Sequence, residues 1–191
     1  MSSQITLLES ILTSSRTVFT TQSLALLTGA DDSARLAKSL HYYVSQGRLG
    51  NPRRGIYTKA GYDEREMACA LFHPSYISLE YVLQQAGVVF QYSEAVTCVS
   101  YLARSVEVDG RDYTFRKIAG SIWAGMDGIR MEDNIAIATP ERAFLDMVYL
   151  SAGNCYFDNL RPLNHKRITA LLPRYGSARL AERVDKILSR R

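Results

Sequence analysis

Arg35, Lys38 and Tyr42 stand three and four residues apart, so at about 100° per residue they fall on one side of a helix, flanked by Ser39, His41 and Ser45. Leu36, Ala37, Leu40 and Val44 take the other side, with Tyr43 at its edge. An outward row of two cations and a phenol, backed by an inward aliphatic stripe, suits a helix laid in a DNA major groove. Arginine can address guanine edges there, and lysine and tyrosine can address phosphates. Ser33, at the start of the helix, and Ser39 complete the candidate contacts on it. The same pattern also describes an ordinary amphipathic helix with a hydrated polar face, and the helix alone does not choose.

The residues after it weigh on the choice. Arg48-Leu49 reads as a strand, Gly50 to Gly55 as a turn carrying Arg53 and Arg54, and Ile56-Tyr57-Thr58 as a returning strand. A basic hairpin behind a recognition-type helix is a wing, with its arginines on phosphate or in the minor groove. The elements that must hold these residues are legible upstream. Ile5, Leu8, Ile11 and Leu12 predict a helix over about Gln4–Ser14, and Val18-Phe19 a short extended piece. Thr20-Thr21 offers a cap for a helix through Leu24 to Leu27 that stops at Gly29, and Asp31, Asp32 and Ser33 offer caps for the helix running to about Gln46. Residues 1–62 therefore read as a winged helix-turn-helix domain.

Enzymatic signatures do not emerge. The chain has no nucleophile elbow, zinc-protease helix, phosphate-binding glycine loop or dinucleotide fingerprint. His41, His73 and His165 are scattered and stand at no ligand spacing from Cys69, Cys98 or Cys155, so neither a metal nor another cofactor is expected, and no catalytic residue is assigned. Glu107, Asp109 and Asp112 crowd one hairpin and are the sole acidic set worth weighing for a divalent ion; solvated turn acids are the commoner explanation. Three separated cysteines suit a reducing cytoplasm. No apolar run reaches the roughly 18 residues of a membrane helix, and the opening Met-Ser-Ser-Gln begins no signal peptide.

Charge is unevenly spread over the 191 residues. Seven basic against three acidic groups give +4 over residues 1–60, and eight against two give +6 over 166–191, while the span between carries −6. That asymmetry places polyanion contact at the ends of the chain rather than along its whole length.

Residues 63–191 read as a second, mixed domain, and the chain as α+β. Glu64–Phe72 reads as a helix, Ser78 as the cap of another through Ala86, and Val96–Val99 as a strand. Asp109-Gly110 joins Arg104–Val108 to Arg111–Ile118 as an antiparallel hairpin, with Tyr113 and Phe115 on one face. Ile129–Ala138 gives one or two more strands. Thr139-Pro140-Glu141 opens a helix with Glu141 on its dipole, and two apolar helical patterns follow through Ile168 to Leu172 and Leu180 to Leu188.

Taken in order, several segments resemble AbiEi-type antitoxins of type IV toxin–antitoxin pairs. Phe19-Thr20-Thr21 and Arg53-Arg54-Gly55-Ile56-Tyr57 resemble the family's winged N-terminal domain. Pro74 to Glu80, with Gly87 behind the helix, resembles the start of its second domain, and Tyr113-Thr114-Phe115-Arg116 and Ile137 to Asp146 resemble its later motifs. The similarity runs from about residue 17 to 150. It implies a DNA-binding transcriptional autorepressor of inverted repeats in its own promoter, a monomer in solution paired on DNA. It further implies that the second domain counters a nucleotidyltransferase-like toxin without a stable complex. Two alternatives stay open on the residues: a metal-dependent nuclease, or a ligand-responsive regulator, delivered by the same winged domain.

Overall fold

The structure, a computed structural model, describes residues 6–29, 32–123 and 125–189, with Trp123 described by its backbone alone. It is a mixed α+β protein that divides into two compact units, Met1–Leu71 and Phe72–Arg191. Gln4 and Ile5, expected in the first helix, and Asp31, expected as a cap, lie outside the described residues.

In the first unit every helix start has a local chemical cause. Thr6 and Glu9 form a reciprocal capping box on α1 (Leu7–Thr13), and Thr20 does the same with Ser23 on α2 (Thr21–Thr28). Gly29, at φ +60°, ends α2 in the left-handed conformation that a Cβ disfavours. Asp32 caps α3 (Ser33–Ser45). Strands β1 (Val18–Thr20), β2 (Gly50–Arg53) and β3 (Ile56–Thr58) form an antiparallel sheet in the order β1-β3-β2, with Phe19 opposite Tyr57. α4 (Glu64–Leu71) completes the unit: its Glu66 carboxylate accepts from Thr17 N at 2.6 Å and Val18 N at 2.8 Å. Ile11, Phe19, Leu24, Leu36, Leu40 and Leu49 form the core, so three helices and the sheet share one apolar centre.

Two readings in this unit need correction. The strand before the turn falls on Gly50–Arg53 rather than Arg48-Leu49, and the turn shrinks to Arg54-Gly55. Leu49 is drawn into the helical core, while the Asn51 amide donates to Arg53 O (2.8 Å) and Ile56 O (2.7 Å), bridging the hairpin. Pro52 is tolerated because β2 is an edge strand. Ala37, expected inward, is exposed; Leu36 and Leu40 alone on α3 are fully buried.

The second unit is built on a six-stranded sheet in the order β6-β7-β5-β4-β9-β8. Its strands are β4 (Ser75–Ile77), β5 (Val96–Ser100), β6 (Arg104–Val108), β7 (Arg111–Lys117), β8 (Ile129–Glu132) and β9 (Ile135–Ala138). The β6–β7 hairpin is antiparallel as read from the sequence, with Tyr113 and Phe115 both buried, and the run Ile129–Ala138, read as one or two strands, forms the antiparallel pair β8–β9. The centre is different: β5 runs parallel to β7 and β4 parallel to β9, which makes the sheet mixed rather than a set of hairpins. α5 (Leu79–Gln85), α6 (Gly120–Trp123), α7 (Pro140–Leu150), α8 (His165–Leu171), a 3-10 turn (Leu172–Tyr175) and α9 (Ala178–Leu188) complete it.

Ser78 precedes α5 but makes no side-chain cap; its hydroxyl donates instead to Asp146. Thr97 on β5 serves that helix start, its hydroxyl donating to Ser78 O at 2.7 Å and accepting from Tyr81 N at 3.0 Å. Thr139 caps α7 as expected. Glu141 stands in the first turn of α7, at the positive end of the helix dipole as expected; it is also buried, and its Oε1 accepts from Asn164 N at 3.2 Å. Among the described residues no helix is long and apolar enough to cross a membrane.

Candidate nucleic-acid interface

α3 presents its polar residues because both its start and its inner face are fixed. Asp32 Oδ1 accepts from Ala34 N (2.9 Å) and Arg35 N (3.0 Å), which sets the first turn. Leu36 and Leu40 are held in the core, so positions offset by half a turn must face outward. Ser33, Arg35, Lys38 and Tyr42 are exposed and Ser39 is half-buried. The Ser39 hydroxyl donates to Arg35 O at 3.0 Å, which commits its proton to the helix backbone. Tyr42 keeps 59% of its surface, standing edge-on to Tyr43 with ring centroids 5.7 Å apart. Arg53 ends β2 and Arg54 stands in the turn, both exposed. The structure thus gathers Arg35, Lys38 and Tyr42 on one helix face and puts Arg53 and Arg54 together on a separate hairpin.

The electrostatics of this unit follow from which charges are already engaged. Asp32 is spent on the α3 cap, and Glu66 on Thr17 and Val18. Glu9 bonds back to Thr6, whose backbone and side-chain hydrogen bonds hold its carboxyl below the usual range. Burial works to raise the Asp63 carboxyl, but the hydrogen bonds and charge of Arg65, 2.7 Å away, outweigh it and hold the group low. Lys59 donates to Leu12 O (3.1 Å) and Ser14 O (2.6 Å), closing the end of α1. By contrast, among the described residues Arg35, Lys38, Arg53 and Arg54 form no ion pair with an acid. Their charge is available to an external anion.

Arg48 is a further exposed cation of this unit, outside the candidate contacts given by the sequence. It follows α3, is exposed, and forms no ion pair among the described residues. Reading it into a strand hid it; the signal that could have found it was its place among the seven cations of residues 1–60.

The second unit contains a different polar centre, fully enclosed. Arg142 and Asp146 stand one turn apart on α7, both at 0% exposure, with Arg142 Nε 3.1 Å from Asp146 Oδ1. Asp146 also accepts from Tyr175 OH (2.7 Å), Ser78 Oγ (2.9 Å) and Tyr76 OH (3.0 Å). The Arg142 guanidinium donates further to Tyr76 OH (2.8 Å), Asp127 O (3.0 Å) and Ile122 O (3.3 Å), with the rings of Tyr76 and Tyr175 on its flanks. Burial pushes the Asp146 carboxyl up, opposed first by the Arg142 guanidinium and then by the three hydroxyls. Burial pulls Arg142 down, but the Asp146 charge and then the two tyrosines hold it raised. Burial and then the Asp146 charge push both tyrosines up, so they stay neutral donors. Four donors converge on the carboxylate, which favours the ionised pair. Every polar atom of the carboxylate is occupied, so the cluster fastens β4, α7 and the 3-10 turn together instead of offering a reaction site.

Glu107 faces Asp112 across β6–β7, with Asp109 in the turn at φ +50°. Among the described residues no group of three or more His, Cys, Asp or Glu is placed to hold a metal ion. Cys69, Cys98 and Cys155 are not joined in disulfides. No protein-family model matches the chain, and no curated protein matches it.

Proposed function

We propose that the chain is a double-stranded DNA-binding transcriptional regulator whose first unit is a winged helix-turn-helix. In this reading α3 is the recognition helix and the β2–β3 hairpin the wing. The observation that carries it is the division of α3: Leu36 and Leu40 held in the core, and Arg35 and Lys38 outward with no acid engaging them among the described residues, while Asp32 caps the helix and Glu66 bonds to Thr17 and Val18. Arg35 would address base edges, Lys38 and Tyr42 phosphate, and Arg53 and Arg54 the backbone or minor groove beside them. Ser39 lies beside Arg35 on that face, whereas Ser33 is exposed because it opens the helix and falls about 160° from Arg35.

The antitoxin role and autorepression rest on the resemblance to AbiEi-type proteins: a cytoplasmic protein that binds inverted repeats in its own promoter, pairs there, and opposes a nucleotidyltransferase-like toxin without holding it. No enzymatic step is assigned to the chain. The test is a gel-shift titration of the purified chain on the DNA upstream of its own gene, against an unrelated duplex, over a salt series. A preference for the upstream DNA that persists as salt rises supports the reading. Equal, salt-erased binding to both duplexes overturns it. Growth rescue on co-expression with the neighbouring gene separately decides the antitoxin role.

A further inference from the structure

A cleft of about 490 Å³ opens in the second unit, lined by Phe157, Asp158, Asn159, Arg161, His165 and Leu188 together with Leu160. Its size falls within the roughly 300–1,000 Å³ of small-molecule sites. The polar groups on its rim are not equivalent. Asp158 Oδ2 accepts from Phe90 N at 2.7 Å and Asn159 Oδ1 from Arg161 N at 3.1 Å, so two acceptors are engaged within the fold. Asp158 N and Asn159 N both donate to Val88 O, at 3.0 and 3.1 Å, which pins this rim in place. What is left to a ligand is three donors, the Arg161 guanidinium, the His165 imidazole and the Asn159 amide nitrogen, with Asp158 Oδ1 as an acceptor on the same rim. None of the three has a side-chain partner among the described residues. The stretch from 159 to 181 contains no acid, and Lys166 and Arg167 lie within it, exposed. The walls are apolar: Leu160, Leu188, and Phe157, whose ring is fixed against Phe144 at 4.8 Å between centroids.

We propose that this cleft binds the phosphate and base of a nucleotide. Arg161, His165 and Asn159 offer donors to the three terminal oxygens of a phosphate, one more than a carboxylate presents, and the Phe157, Leu160 and Leu188 walls take a flat, weakly polar ring. The nucleotide is either free or the 5′-phosphorylated end of a strand, since both present the same chemistry. The site lies in the second unit and does not depend on the duplex-binding reading of the first.

Calorimetric titration of the full chain tests it, with the four nucleoside 5′-monophosphates, their nucleosides, inorganic phosphate, and a trinucleotide with and without its 5′-phosphate. At least one monophosphate binds about tenfold or more tightly than either its nucleoside or phosphate alone. Arg161→Ala and His165→Ala each weaken it about tenfold, Leu188→Trp blocks it, and Lys117→Ala, on the distant β7, leaves it unchanged. A 5′-phosphorylated trinucleotide that binds more tightly than the monophosphate assigns the strand end; the reverse assigns the free nucleotide. The inference is overturned if no monophosphate binds more tightly than inorganic phosphate, or if Arg161→Ala and His165→Ala both retain full affinity. Both positions are exposed, and an unchanged unfolding midpoint separates lost binding from lost folding.

Discussion

Replacing Asp146 by alanine removes the acceptor shared by Arg142 Nε and the hydroxyls of Tyr76, Ser78 and Tyr175. It leaves a guanidinium at 0% exposure without its counter-charge. Breaking a buried pair in this way costs about 3–5 kcal/mol, because the stranded charge stays desolvated. Native domains hold only about 5–15 kcal/mol in total, so Asp146→Ala should remove a large part of the second unit's stability. The double change Arg142→Met with Asp146→Leu removes both charges and refills their volume. It still leaves three hydroxyls and the carbonyls of Asp127 and Ile122 without these partners, so it should remain destabilising, but by at least about 2 kcal/mol less than the two single changes summed. Urea unfolding followed by hydrogen exchange at the α7 amides reports the second unit specifically. An Asp146→Ala midpoint within about 1 kcal/mol of wild type, or strict additivity of the pair, would refute the cluster as a coupled fastening.

Three further outcomes follow from the first unit. Arg35→Ala should lose about 1–3 kcal/mol on the upstream DNA and far less on unrelated duplex, whereas Lys38→Ala should weaken both alike and lower the salt slope by about one; identical profiles for the two variants would contradict their separate roles. Arg53→Ala with Arg54→Ala should reduce specific and non-specific binding together, and a double variant with the wild-type salt dependence would leave the hairpin as a cover for the helices. Asp63, whose folded pKa lies below its ordinary 3.8, contributes stability that is full above that value and disappears as pH falls through the folded pKa. Asp63→Asn should therefore unfold earlier than wild type at neutral pH and converge with it in strong acid, as acid-titrated thermal melts will show or deny.

The elements of the first unit were legible because their determinants are local. Thr20 with Ser23, Gly29 at φ +60° and Asp32 before Ala34-Arg35 are signals that act within four residues of themselves. The second unit follows a different logic. Ser78 looks like a cap from its neighbours, yet a carboxylate 68 residues away claims its hydroxyl, and Thr97, from another strand, serves the helix instead. β4 escaped because all three of its residues are buried, which erases the alternation that marks a strand. The β6–β7 hairpin could be read from Asp109-Gly110, while Ile129–Ala138 showed strand character without its turn. The parallel joins of β5 to β7 and β4 to β9 are made across intervening elements that no local pattern encodes. Arg142 and Asp146 advertised themselves only by their i, i+4 spacing; Tyr76 and Tyr175 could not be placed beside them without the fold.

Charge counting points to both ends of the chain, and it says nothing of how the cations of the first unit are arranged. A surplus of +4 over residues 1–60 is the same however its charges pair, so what the fold decides is where the cations stand. Here Asp32, Glu9 and Glu66 are withdrawn into helix caps and backbone contacts, and Asp63 into a pair with Arg65. The acids build the scaffold while Arg35, Lys38, Arg48, Arg53 and Arg54 remain exposed. The capped carboxylates keep their charge, but they hold the scaffold in place, and the capping chemistry that sets the start of α3 also fixes where Arg35 stands. A variant that weakens the Asp32 cap would change affinity by moving the helix that carries Arg35, even as it raised the net charge.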